Sequence, residues 1–174
     1  MIMSASCSIT ALSGLDREGF VAAIGAVFEH SPWIAARAWE RRPFADRAAL
    51  DQAFVEVLAA AGREELLGLI LAHPELASKA ALRGELAEHS AREQAGAGLN
   101  ACTPEELGTI RELNDAYRSH FGWPFIVAVK GLSRQQIIAA MRTRLNHSAE
   151  DEFAEALLQI RRIAGLRLDA LGVA

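Results

Sequence analysis

Apolar residues recur at helical spacing along almost the whole chain, and no convincing run alternates apolar and polar positions as a half-buried strand does. Phe20, Ile24, Val27 and Phe28 share one side of a helix predicted over about 16–29. Ser31-Pro32 breaks it, and a short helix carrying Trp33, Ile34 and Trp39 ends before Arg42-Pro43-Phe44. Asp46 is placed to cap a helix over 47–61 that Gly62 closes, and 63–72 forms the next, stopped by His73-Pro74. A helix over about 77–97 ends at Gly96 and Gly98. Thr103-Pro104-Glu105-Glu106 reads as a capping box with proline in the first turn, opening a helix to about His120. Ser133-Arg134-Gln135-Gln136 is a second such box, for a helix to about 145, and Asn146-His147-Ser148 turns into a last helix over 149–171. Between them, Phe121-Gly122-Trp123-Pro124-Phe125-Ile126-Val127 reads as extended, because Pro124 restricts Trp123 and the aromatic and β-branched residues disfavour helix. The pattern predicts an all-α fold, a compact single-domain helical bundle with one short extended segment near 121–127. Residues 1–12 are expected to form a flexible N-terminus and 13–172 a single domain, since no Gly/Ser/Pro linker and no internal repeat divides them.

Composition narrows the function classes more than the fold. A chain of 174 residues buries a sizeable core without staples, and 51% apolar with 23% charged residues excludes a disordered chain. The net charge of −4 leaves no basic footprint for nucleic acid, and the mixing of acidic and basic residues gives no membrane-surface patch. No segment approaches the roughly 20 apolar residues of a membrane helix. The start, Met1-Ile2-Met3-Ser4-Ala5-Ser6, lacks the basic and apolar regions of a secretion signal. Cys7 and Cys102 make neither a disulfide framework nor a metal-ligand spacing. A reducing, cytoplasmic setting is the expectation.

The polar residues that a bundle does not need for folding cluster in two places. Pro74 pushes His73 out of α conformation, so the imidazole should sit where a helix ends and a loop begins. Ser90, Glu93 and Gln94 fall at i, i+3 and i+4 on one helical face. An imidazole and a carboxylate, His73 and Glu93, suggest acid/base chemistry. Each also has a structural reading: the histidine as a helix-end residue bonded to a carbonyl, the glutamate as a solvated charge. His89 and Glu93, at i, i+4, make a metal set with His73 that would suit a metal-dependent hydrolase, although the His-Glu-x-x-His spacing is missing. A non-enzymatic helical interaction module, in which these blocks only cap and pack, is a third reading. The 121–127 stretch is either a buried hinge or a wall whose backbone N–H and C=O groups meet a planar, amide-rich ligand. Arg144 closes a helix, where a cation also favours the dipole.

Taken in order, the blocks Ser31-Pro32-Trp33, Arg42-Pro43-Phe44, Ala72-His73-Pro74-Glu75-Leu76, Ser90-Ala91-Arg92-Glu93-Gln94, Leu113-Asn114-Asp115-Ala116-Tyr117, Phe121-Gly122-Trp123-Pro124-Phe125-Ile126 and Arg144-Leu145-Asn146 closely resemble one family. It is the 2-oxo-4-hydroxy-4-carboxy-5-ureidoimidazoline (OHCU) decarboxylases of urate degradation. The resemblance runs through nearly the whole chain, including Ile163-Ala164 and Arg167-Leu168 in the last helix. Two departures are visible: His120 stands where a Lys or Arg is expected, and Trp123 where Phe or Tyr is common.

The resemblance implies a compact all-α enzyme that decarboxylates OHCU to (S)-allantoin without cofactor or metal, acting on a small molecule; apart from the resemblance, a homodimer is an assembly open to so small an enzyme, with no residue pattern that marks its interface. An internal electron sink, the C=N bond next to the carbon that loses CO₂, makes an added cofactor unnecessary. On this reading His73 exchanges a proton with the substrate hydroxyl and Glu93 orients His73 or holds that hydroxyl. Ser90 and Gln94 bond the ring amides or the ureido group, Pro74 belongs to the substrate site, the backbone at Phe125 and Ile126 grips the planar ring, and Arg144 meets a ring oxygen or nitrogen where negative charge develops.

Overall fold

The computed structural model describes residues 8–78, 81 and 83–174, and among these every regular element is helical. The α-helices are α1 (Ile9–Gly14), α2 (Arg17–Ile24), α3 (Trp33–Ala38), α4 (Arg47–Ala60), α5 (Arg63–Leu71), α6 (Glu88–Gly96), α7 (Pro104–Phe121), α8 (Arg134–Arg144) and α9 (Ala149–Ala170). Contacts group the chain into two units, one of residues up to Ala72 with Arg161–Ala174, the other His73–Ile160. Helix α9 runs through the division at Ile160.

In the first unit the helix starts follow local cap chemistry. Ser8, Asp16 and Asp46 each accept a hydrogen bond from the backbone N–H three residues on, at 3.2, 2.8 and 2.8 Å. Such caps contribute about 0.5–2 kcal/mol each by satisfying otherwise orphaned donors. Helix α1 precedes the expected start of order and buries Ile9 and Leu12. The helix expected over 16–29 stops at Ile24 and tightens into a 3-10 turn, Gly25–Val27, before Phe28 extends and His30 turns left-handed at φ +46°. Phe28 then packs edge-on against Phe54 of α4, ring centroids 5.0 Å apart. Two arginines fasten the C-terminal half of α9. Arg167 pairs with Glu29 at 2.9 Å with both side chains buried, and Arg47 donates to Asp51, Asp169 and the carbonyls of Gly165 and Val173.

In the second unit α7 is the central element. Thr103 Oγ1 accepts from Glu106 N at 3.1 Å and Glu106 returns a bond to Thr103 N at 2.9 Å, with Pro104 in the first turn. Gly122, at φ +84°, ends the helix in the left-handed conformation that only glycine adopts without cost. Ile110, Asn114, Tyr117 and Phe121 form its buried face. The Ser133/Gln136 box opens α8 as expected. From Tyr117 an aromatic series runs through Phe121, Trp123 and Phe153, successive centroids 4.7, 5.6 and 5.7 Å apart. Of the segment predicted as extended, Phe121 still belongs to α7 and Gly122 is its left-handed cap, while residues 123–129 carry no helix.

One predicted helix is not continuous among the described residues. Of the span 77–97, residues 79, 80 and 82 lie outside the described residues, Ala81 is helical, residues 83–87 carry no helix, and the helix α6 covers Glu88–Gly96. At Leu76 and Ala77 the backbone bonds side chains instead of a helical ladder. Ala77 N donates to Gln94 Oε1 at 3.0 Å, Leu76 O accepts from Asn114 Nδ2 at 2.9 Å, and Ala77 itself is left-handed at φ +49°.

Candidate active site

Helix α5 ends at Leu71, and the chain leaves it through His73-Pro74-Glu75-Leu76, with His73 and Leu76 buried and Pro74 and Glu75 half-buried. Facing this turn is α6. Its Ser90 and Gln94, four residues apart, are its buried positions, while Glu93 between them is half-buried. The Gln94 amide bonds the backbone just after His73-Pro74, accepting from Ala77 N and making a long 3.5 Å contact from Nε2 to Glu75 O. The structure therefore brings the His73-Pro74 turn and the Ser90/Glu93/Gln94 face together, with Gln94 bonded across.

A second cluster forms where the non-helical segment meets the end of α8. Arg144 is buried, with its guanidinium 4.4 Å from the Phe125 ring centroid. Its Nη1 donates to Ile126 O at 2.7 Å, and its Nε donates to Glu152 Oε1 at 2.8 Å, joined there by Nη2. Of the five N–H donors of arginine, three are thereby committed, leaving one on each terminal nitrogen. Phe125, in turn, stands edge-on to Tyr117 at 5.3 Å.

Helix α7 connects the two clusters. Asn114 reaches Leu76 in the first, and one turn later Tyr117 contacts Phe125 and donates its hydroxyl to Glu152 in the second. Arg118, adjacent to Tyr117, pairs with Glu75. Positions i, i+3 and i+4 on one helix thus set the spacing between the histidine turn and the arginine. Burial, with the Glu152 carboxylate beside it, holds the Tyr117 hydroxyl well above the ordinary phenol range, so it acts as a donor. His147 Nδ1 lies 2.9 Å from the other oxygen of Glu152.

Asn114, Tyr117 and Glu152 are not singled out as site residues by their chemistry in the sequence. The available signal is faint: Asn114 and Tyr117 are polar positions on an otherwise apolar helical face. Glu152 sits in a run, Glu150-Asp151-Glu152, that reads as ordinary first-turn charge. His89 is half-buried on α6, and among the described residues no three His, Cys, Asp or Glu side chains are grouped as a metal would require.

This arrangement offers an imidazole, a carboxylate, a serine hydroxyl and a guanidinium in one helical unit, with the Ile126 carbonyl of a non-helical segment beside the guanidinium. The family model for OHCU decarboxylase matches residues 13–169. The chain belongs to the OHCU decarboxylase family. It is 43% identical over 162 residues to a 2-oxo-4-hydroxy-4-carboxy-5-ureidoimidazoline decarboxylase of Halalkalicoccus jeotgali, covering 93% of this chain and 90% of that one. A protein of the same description from Haloferax volcanii is 42% identical over 154 residues, 88% of this chain and 89% of that one. Among solved structures, (S)-allantoin synthase superposes with a TM-score of 0.72 at 26% identity, over 94% of this chain and 54% of that one. Family membership brings the seven sequence blocks and the all-helical fold into one account. No helix among the described residues is long and apolar enough to cross a membrane.

Proposed function

We propose that this protein decarboxylates OHCU to (S)-allantoin and CO₂, with His73 and Glu93 as the acid/base pair and Pro74, Ser90, Gln94, Phe125, Ile126 and Arg144 forming the substrate site. The observation that carries the reading is the family match across residues 13–169, which contains every one of these residues. The geometry supports it: Gln94 fixes the turn bearing His73 against the helix bearing Glu93, which is the pre-organisation that proton transfer needs.

In the reaction the carbon bearing the carboxylate also bears a hydroxyl. As its bond to CO₂ breaks, the electron pair forms a double bond to the neighbouring ring carbon, and the C=N electrons of that carbon move onto nitrogen, which takes a proton. His73 accepts the hydroxyl proton as the carbonyl forms, and a proton is then delivered to the neighbouring carbon from one face, fixing the (S) configuration. Glu93 holds His73 or the hydroxyl in line. The two uncommitted N–H groups of Arg144 meet the ring oxygen or nitrogen on which negative charge develops, not the departing carboxylate, whose charge is lost in the step. Gln94 keeps one N–H for the substrate's amide or ureido oxygen.

The setting we propose is cytoplasmic, with a homodimer as the assembly, which light scattering of the purified protein tests. The activity is tested by generating OHCU from urate in situ with the two upstream enzymes and adding this protein. Ultraviolet decay faster than the spontaneous rate, a single allantoin enantiomer by circular dichroism, indifference to chelator and loss in His73→Ala are the expected results. Spontaneous decay to racemic allantoin in the presence of folded protein would refute the reading.

A further inference from the structure

The carboxylate of Glu152 lies at the meeting point of three elements and is fully buried. Its Oε1 receives Nε and Nη2 of Arg144 from the end of α8 and the Tyr117 hydroxyl from α7. Its Oε2 faces His147 Nδ1, from the turn between α8 and α9, at 2.9 Å. The glutamate itself stands in the first turn of α9, where the helix dipole favours a negative charge. A buried carboxylate is costly unless its oxygens are bonded, and here both are.

What the charge does is orient Arg144. Two of the guanidinium's nitrogens are turned toward Glu152 and the third toward Ile126 O, while its flat face lies against Phe125. With that edge fixed, the direction of the two remaining N–H groups is fixed as well, and so is the backbone of the 125–126 segment that Arg144 holds.

We propose that Glu152 is a positioning residue for the substrate site, acting through Arg144 and assisted by Tyr117. The proposal rests on the reading above, in which Arg144 and the Phe125–Ile126 backbone contact the substrate. Glu152 touches no reacting atom. It holds the arginine in the one orientation that presents its free donors to the ring, and it neutralises the guanidinium so that the arginine stays buried and charged.

The test is a double-mutant cycle with OHCU generated in situ, measuring kcat and KM for the wild type, Arg144→Ala, Glu152→Gln and the double variant. Circular dichroism and melting report the fold, and (S)-allantoin titration gives a second readout independent of turnover. Glu152→Gln is expected to lower kcat/KM about tenfold or more, the scale of outer-shell partners, and to weaken (S)-allantoin binding. Added to Arg144→Ala it should cost nothing further, since the residue it positions is gone. A merely structural role gives losses that multiply in the double variant, and that result overturns the proposal. So does a folded Glu152→Gln with wild-type constants. Should Glu152→Gln not fold, Tyr117→Phe takes its place in the cycle: it removes one donor from the same oxygen, keeps the ring packing, and must show a loss in the wild type and none beside Arg144→Ala. Arg144→Ala with wild-type constants instead removes Arg144 from the substrate site, and the role of Glu152 falls with it. An active Arg144→Ala-sensitive enzyme indifferent to Glu152 rejects the positioning role alone.

Discussion

Asn114 Nδ2 donates to the carbonyl of Leu76 at 2.9 Å, across 38 residues of sequence and with both residues buried. This bond ties the middle of α7 to the turn that carries His73. The other amide atom, Asn114 Oδ1, is buried with no hydrogen-bond partner, so the amide is oriented by this bond alone. Reversing it would set two acceptors against each other.

Asn114→Ala therefore leaves the Leu76 carbonyl buried without a donor, at a cost of about 1–3 kcal/mol. Asn114→Asp should cost more at neutral pH, because a carboxylate oxygen then faces the carbonyl. Urea unfolding of the three proteins checks the order, wild type above Ala above Asp. An Asp variant as stable as the wild type would show that the bond does not hold the turn.

The strained residue beside that bond makes an unusual prediction. Ala77 sits at φ +49°, a conformation that costs an L-residue about 1–2 kcal/mol. Glycine adopts it freely, so Ala77→Gly gains back roughly what it loses in a buried methyl, about 0.8 kcal/mol, and in unfolded-state entropy, about 0.5–1 kcal/mol. The expected net change is within about 1 kcal/mol of zero. Ala77→Val places a β-branched residue in the same conformation and should lose about 1–3 kcal/mol more than the glycine variant. Thermal melts of the pair measure this difference, and equal stabilities would mean that residue 77 is not held left-handed in solution.

These two residues also show where the sequence is legible and where it is not. Asp46, Thr103/Glu106 and Ser133/Gln136 announce helix starts because their cap chemistry acts over three residues, and each caps as expected. The helix expected from 77 does not start there because Ala77 N and the carbonyl of Leu76 before it bond partners 17 and 38 positions away, in Gln94 and Asn114, beyond the reach of any local pattern. Helix α1 escaped notice because six residues with two buried side chains carry almost no periodicity. In the site, the burial of His73, Ser90 and Gln94 follows from the Pro74 break and the i, i+4 spacing. Glu152 does not follow, since only the folded chain reveals that one of three consecutive acidic residues turns inward toward Arg144 and Tyr117.

For the chemistry, His73→Ala and Glu93→Gln should each lower kcat by roughly 10²–10⁴-fold if each residue takes part in proton transfer. Because Glu93 is half-buried, the glutamine preserves shape and tests the charge alone. A fall in kcat with KM little changed is the expected pattern for a group used only in the transition state. Turnover near wild type in either variant, measured on OHCU generated in situ, removes that residue from the mechanism.

Glu106 supplies a prediction in pH. Its carboxyl is held below the ordinary glutamate value, chiefly by the Thr103 backbone N–H and further by Arg134, whose Nε lies 2.9 Å away. A carboxyl with a lowered folded-state value stabilises the fold above its unfolded value, and that stabilisation is lost as pH falls through the folded one. Glu106→Gln keeps the capping geometry and removes the charge. The melting temperature of the wild type should exceed that of Glu106→Gln at about pH 7, and the gap should close as the solution is acidified toward about pH 3. A gap that stays constant or widens in acid would show that the charge on Glu106 contributes nothing to the start of α7, the helix that spaces Asn114 from Tyr117.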